Sequence, residues 1–388
     1  MEFKPFNRCN LMKTTLVLFT MLFLCSAILA QNAKEYHLLI GTYSNKDKTN
    51  GIYVYRFDTQ TGEFSTTLPV TGGFNSSYLA VSADRKNVYA VSEAGNGNGS
   101  VSAYAFDPVS GELTFINSVL SEGDHPCYVS VDKKKKFVFV GNYSGGNLIS
   151  VPLNEDGSLS FDVQNIQHQG SSINKERQEK AHVHSVVLSP DHRYLMVADL
   201  GADKVFQYRV DVSKPQPLTP APTPFVNAKP GGGPRHLTFH PNGKFAYLVL
   251  EMEGAVVAFD YKDGKLSEKQ TISMLAPAFK GKVSAADIHI SPDGKFLYAS
   301  NRGDANELAI FSIDQAGKLS LAGHQSVLGK IPRNFAIDPT GNFLLAANQD
   351  SNDIVIFKRD QKTGMLTATG KKIEVDKPVC LKFAAIGN

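Results

Sequence analysis

The chain of 388 residues has no tryptophan and only four cysteines. Cys9 and Cys25 fall within the first 30 residues, so the remainder holds Cys127 and Cys380 alone. Two isolated thiols exclude a disulfide-stapled scaffold, and neither has an obvious metal-ligating neighbour in sequence. No amphipathic helix of useful length can be traced. A Gly-Xaa-Ser-Xaa-Gly elbow, a His-Glu-Xaa-Xaa-His pair and a phosphate-cradling glycine loop are also missing. Gly231-Gly-Gly233 precedes Pro234 in a strand context and reads as a turn.

Charge of one sign is lacking too. Apart from Glu2, Lys4, Arg8 and Lys13, 37 basic residues face 36 acidic ones, which gives no case for a nucleic-acid partner. The Lys133–Lys136 run sits on a turn and reads as a solvated surface. A single long apolar run exists, Thr14–Ala30, preceded by those three basic residues and ending in small ones. This is the pattern of an export signal. The expected division is residues 1–30 as signal peptide and 31–388 as one mature domain, periplasmic or extracellular and free of the membrane after cleavage. Retention as a membrane anchor fits less well because the run is short for a span. Lipid attachment at Cys25 also fits poorly because Leu24 precedes it.

What the chain does have is a repeat. Ala286–Arg302 contains two runs of alternating apolar residues separated by Pro292-Asp-Gly-Lys295. Alternation gives strands, and Pro, Asp and Gly between them give a tight hairpin. Copies occur at Ser77–Glu93, Cys127–Tyr143, His184–Leu200, Pro234–Glu251 and Pro332–Gln349. The residue before each turn is Ser82, Asp132, Ser189, His240, Ser291 or Asp338, at intervals of 50, 57, 51, 51 and 47. Further strands follow each hairpin, for example Leu308–Ile313 and Leu319–Leu328.

An all-strand repeat of about this length is a propeller blade. The missing tryptophan argues against WD-type repeats. The expected fold is therefore all-β, a seven-bladed β-propeller of four-stranded antiparallel blades. Six hairpins are visible, so the seventh blade is composite. Pro378–Phe383 would supply its innermost strand and Tyr36–Tyr43 the next, which closes the ring and removes its open edge. The stretches Gln167–Ala181 and Pro215–Gly233 read as loops.

In a hairpin, the start of the first strand and the end of the second lie at one end. Two positions per blade should therefore gather on one face of the ring. The first set is Ser77, Cys127, His184, Arg235, Ala286 and Arg333. The second is Tyr43, Glu93, Tyr143, Leu200, Glu251, Arg302 and Gln349. Charges so close to strand cores are costly unless paired or used. They could bridge neighbouring blades, or they could bind an anion and move protons on it. Arginine offers a fixed fork for carboxylate or phosphate, and Glu and His are tunable for proton transfer. His182 lies two residues from His184, but no carboxylate or Cys stands beside the pair in sequence, and the arginines would repel a cation. No metal and no cofactor are expected.

Four motifs go beyond a generic propeller: Arg177-Gln-Glu-Lys-Ala-His-Val-His-Ser185, Gly233-Pro-Arg-His-Leu-Thr-Phe-His-Pro241, Ala285-Ala-Asp-Ile-His-Ile-Ser-Pro-Asp-Gly294 and Pro332-Arg-Asn-Phe335. With them the chain resembles the seven-bladed propeller lactonases, which include the propeller-type 6-phosphogluconolactonases and the carboxy-muconate cyclases. The resemblance implies a metal-independent site on His184, Arg235, Glu251 and Arg302. It also implies hydrolysis of a small-molecule sugar lactone. On these residues the expected catalytic pair is Glu251 and His184, one as general base on water and the other orienting it, with Arg235, Arg302, Arg333, His182 and Glu93 binding substrate. An export signal departs from the cytosolic phosphogluconolactonases and leaves the phosphate of the substrate open. An exported binding protein for an acidic sugar, and a lactonizing cycloisomerase, would use the same arginines. The sequence does not define an oligomeric state.

Overall fold

The computed structural model describes residue 2 and residues 34–43, 51–70 and 73–387. The expected signal peptide and the alternative anchor at Cys25 lie outside the described residues. The turn residues explain why each hairpin forms. Three positions after each anchor stand Arg85, Lys135, His192, Gly243, Gly294 and Gly341, all with positive φ. Each donates its backbone N–H to the anchor carbonyl, at 2.8 to 3.0 Å. In five of the six the anchor side chain then accepts from the first N–H of the returning strand, as Ser291 Oγ does from Phe296 (3.0 Å) and Ser189 Oγ from Tyr194 (3.0 Å), while His240 Nδ1 accepts from the Asn242 N–H within the turn (3.1 Å). Turn and register are thus set locally, six times over.

Seven four-stranded antiparallel sheets result. The first blade is composite. Pro378–Ala385 pairs antiparallel with Glu35–Thr42, with Leu38 opposite Phe383 and Tyr36 opposite Ala385. That is the closure expected from the termini. The other blades run in chain order, with innermost strands Leu79–Val81, Pro126–Val131, Val183–Leu188, Pro234–Phe239, Ala285–Ile290 and Pro332–Ile337. No helix occurs among the described residues.

The core is a ring of clusters between blades. One joins Met196 and Ala198 of the fourth blade to Leu248 and Phe259 of the fifth; another joins Tyr247 and Val249 of the fifth to Leu297 and Phe311 of the sixth. Burial of such side chains contributes about 1.5–3 kcal/mol each. Tyrosines lock neighbouring blades: Tyr89, Tyr247 and Tyr298 each donate a hydroxyl to a turn carbonyl, at Gly157, Gly317 and Gly364.

One expected loop is a strand. Leu218–Asn227, inside the Pro215–Gly233 stretch, forms the outermost strand of the fourth blade against Lys204–Val210. An edge strand tolerates proline, because the missing N–H need not face a partner. The other expected loop, at Gln167–Ala181, begins on the last residue of a short outer strand, Gln164–Gln167, and then forms no strand up to Val183.

Candidate active site

Most innermost strands open with a β-bulge. Register shifts fall between Pro126 and Tyr128, Val183 and Ser185, Pro234 and Leu237, Ala285 and Ile288, and Pro332 and Asn334. The skipped residues are Cys127, His184, Arg235 with His236, Ala286 with Asp287, and Arg333. A bulge breaks the alternation of faces and re-aims side chains. It turns Cys127, His184 and Arg333 toward the mouth of the central channel, where they meet residues at the ends of the second strands, and leaves Arg235, His236 and Asp287 in the layer behind.

The result is a cavity of about 400 Å³ lined by Tyr43, Glu93, Cys127, Tyr143, Arg177, His184, Glu251, Ser284, Arg302 and Arg333. Eight of these ten belong to the two sets of rim positions. Sequence reasoning missed Ser284 and Arg177. Arg177 comes from the 168–182 loop and follows no strand register; its place in a specific motif was the one available signal.

Glu251 is the centre of charge. Its Oε1 accepts from Arg177 Nη2 at 2.7 Å, and its Oε2 accepts from Arg235 Nε at 3.0 Å and faces Arg302 Nη2 at 3.1 Å. Burial opposes its charge, but Arg302, Arg235 and Arg177 outweigh it and hold the carboxyl down at about 2. His184 Nε2 stands 3.8 Å from Oε2, and His184 Nδ1 lies 3.7 Å from Cys127 Sγ. Burial and the adjacent arginines push the His184 pKa well below its usual value, so the ring is neutral. Cys127 is buried and its thiol is pushed upward, chiefly by burial. Cys127 and Cys380 are both free.

Arg302 is spent on the Ser284 and Ala285 carbonyls (3.3 and 3.2 Å) and on Glu251. Burial draws its pKa down to about 9, which leaves it charged at neutral pH. Arg333 differs. Its guanidinium stacks over the Tyr43 ring at 5.3 Å, and among the described residues no carboxylate or carbonyl accepts from it. Tyr43 in turn donates its hydroxyl to Glu93 Oε2 at 2.8 Å.

Two expected site residues sit behind the cavity. Arg235 is almost wholly buried and does not line it; its donors go to Glu251 and to the Ala286 carbonyl (2.6 Å). His182 also stands outside the lining. Its Nδ1 contacts the Tyr143 carbonyl at 3.0 Å and its Nε2 contacts Glu179 at 3.2 Å. Its ring stacks on Tyr143 at 4.6 Å. The carboxylate partner not found beside His182 in sequence is thus Glu179, one helical-type step earlier along the loop. Among the described residues no three His, Cys, Asp or Glu side chains converge to hold a metal ion.

Seven blades closed into a ring, with a buried Arg–Glu–His cluster at one channel mouth, define a β-propeller with a charged site at its mouth. The chain belongs to the seven-bladed β-propeller lactonases: the family model described as "Lactonase, 7-bladed beta-propeller" matches residues 37–383. It is a lactonase, and so a hydrolase. The chain is 38% identical over 352 residues to the 6-phosphogluconolactonase of Bacillus subtilis strain 168, covering 90% of this chain and 98% of that one. It is likewise 38% identical to the 6-phosphogluconolactonase of Formosa agariphila, covering 87% and 97%. Among solved structures, the periplasmic gluconolactonase of Pseudomonas aeruginosa is 41% identical with a TM-score of 0.86, covering 91% of this chain and 100% of that one.

Proposed function

We propose that the protein hydrolyses an anionic sugar lactone at this channel mouth, and that the ring-opened product is the aldonic acid. The observation that carries the reading is Arg333. It is a guanidinium without a protein acceptor among the described residues, set beside a carboxylate already saturated by three others. Four guanidinium groups face Glu93 and Glu251 at the cavity and Asp287 in the layer below, one positive charge in excess, so a negative ligand completes the charge balance. A carboxylate or phosphate on the substrate would take Arg333 in bidentate fashion.

The roles follow from which atoms are free. Both oxygens of Glu251 are occupied, whereas His184 Nε2 has only a 3.8 Å approach to Glu251. His184 is therefore the general base: its neutral Nε2 takes a proton from water as the water attacks the lactone carbonyl. Glu251 holds the resulting imidazolium and orients the ring. Arg302 supplies positive charge for the tetrahedral oxyanion. The imidazolium then returns its proton to the leaving ring oxygen, and the C–O bond breaks. Arg235 and His182 act from behind, on Glu251 and Tyr143, and Glu93 fixes Tyr43 under Arg333.

The names of the relatives support a sugar lactone as substrate, and the periplasmic gluconolactonase supports export of this chain. The test is pH-stat titration of the purified protein against plain and phosphorylated aldonolactones. His184→Asn and Glu251→Gln should each lower kcat by about 10²–10⁴. Tight binding of aldonic acids with no turnover above background would refute hydrolysis and favour a binding protein. Full activity in His184→Asn would refute the assignment of the base.

A further inference from the structure

Beneath the cavity lies a second polar cluster that the reaction does not touch. Its centre is Asp287, buried at 1% exposure on the innermost strand of the sixth blade. Asp287 Oδ1 accepts from His236 Nδ1 of the fifth blade at 2.7 Å. Its Oδ2 accepts from His289 Nε2 at 2.8 Å and from Asn334 Nδ2 of the seventh blade. Asn334 Oδ1 accepts in turn from the Leu381 N–H of the first blade at 2.7 Å. One carboxylate therefore ties the inner strands of four consecutive blades.

These bonds lead upward. His236 presses its imidazole against Arg235, whose Nη1 lies 3.3 and 3.2 Å from the two ring nitrogens. It also stands edge-on to His184, with ring centroids 5.4 Å apart. Arg235 is the group that holds Glu251 from below. Asn334 is the chain neighbour of Arg333. An apolar plug would close the channel without burying a carboxylate, so closure alone does not account for the cluster.

We propose that Asp287 is a positioning residue of the lactonase site: through His236 it sets Arg235, Glu251 and His184, and through Asn334 it anchors the strand of Arg333. The inference rests on the catalytic roles given above. Asp287 fixes the proton of His236 on Nδ1, so the ring stays neutral against the Arg235 guanidinium. Consistent with this, burial and Arg235 hold the His236 pKa down at about 3, and the adjoining histidines keep the Asp287 carboxyl well below its usual range.

The experiment measures kcat and KM on the best aldonolactone for Asp287→Ala, His236→Asn and His236→Leu, each corrected for folded fraction by thermal melt. His184→Asn runs alongside. Asp287→Ala and His236→Leu should lose at least 30-fold in kcat with KM changed less than 3-fold. His236→Asn, whose amide can still donate to Asp287, should keep kcat within 10-fold of the parent. Imidazole nitrogen NMR should show His236 protonated on Nδ1 in the parent and not in Asp287→Ala, which has no acceptor there, a readout that needs no turnover. Parent-like kcat in Asp287→Ala, or equal kcat in His236→Asn and His236→Leu, would overturn the proposal. If His184→Asn retains activity, the catalytic reading fails instead. If Asp287→Ala does not fold, the comparison of His236→Asn with His236→Leu decides by the same kcat criterion.

Discussion

Buried neutral histidines make the stability of this fold sensitive to mild acid, and His236 allows the effect to be worked out. In the folded protein its pKa is held at about 3, against 6.5 when exposed. A base whose pKa is lowered by folding stays unprotonated in the native state while the unfolded chain takes up a proton. The unfolded state then binds more protons, so stability rises with pH and is lost as pH falls below about 6.5. The loss continues down to about pH 3. Between pH 7 and pH 5, His236 alone should cost about 2 kcal/mol, from 1.36 kcal/mol per pH unit. His184 is shifted the same way by burial and arginines and adds to it. Glu251, held at about 2, and Asp287 lose their contribution only below the ordinary carboxylate range near pH 4. Asp338 and Glu307, raised by burial, act in the opposite sense around that same range. The window from pH 7 to 5 therefore belongs to the histidines. The assay is urea unfolding at pH 7, 6 and 5, followed by far-UV circular dichroism because the chain lacks tryptophan. His236→Asn should reduce the slope of stability against pH by about 1.2 kcal/mol per unit between pH 6 and 5. Equal slopes for parent and variant would refute the neutral buried imidazole and the arrangement around it.

Two further outcomes follow from contacts at the rim. Arg333→Ala removes a charge-assisted contact of about 1.5–3 kcal/mol, so KM for an anionic lactone should rise roughly 10- to 100-fold, while a neutral lactone of equal ring size is little affected; steady-state kinetics on both substrates checks this. Gly201 packs against the loop that delivers Arg177: a Cβ there would lie 1.8 Å from the Lys180 carbonyl oxygen and 2.8 Å from the His182 ring. Gly201→Ala should thus destabilise by about 3 kcal/mol, the upper end for overpacking, read from the urea midpoint.

The hairpins could be read from sequence because everything that makes them is local. Alternation, the anchor side chain and the positive-φ turn residue lie within six positions of one another, as in Ser291, Gly294 and Phe296. The composite blade was legible for the same reason, since each of its two halves carries its own strand pattern. The Pro215–Gly233 stretch was misleading because composition reports where a backbone N–H is missing, not whether that N–H was needed. Only the position of Leu218–Asn227 at a sheet edge answers the second question. Arg177 was invisible for a different reason: a loop residue has no register from which its destination can be counted.

The bulges divide the site from the scaffold most sharply. Counting five residues back from each turn places His184, Arg235 and Arg333 at the rim. Strict alternation would then send His236 and Asp287 into the sheet. The shifts at Pro234/Leu237 and Ala285/Ile288 let consecutive residues escape that rule. Arg235 can then serve Glu251 while its neighbour His236 reaches Asp287 on the next blade. A regular strand presents one side chain to the channel for every two residues; a bulged one presents two in succession. That extra density is what allows a reacting layer and a supporting layer to be stacked within a single strand opening. It also explains why both layers fall in the same short motifs, Pro234-Arg-His236 and Ala286-Asp287, and why only the upper one was found from spacing alone.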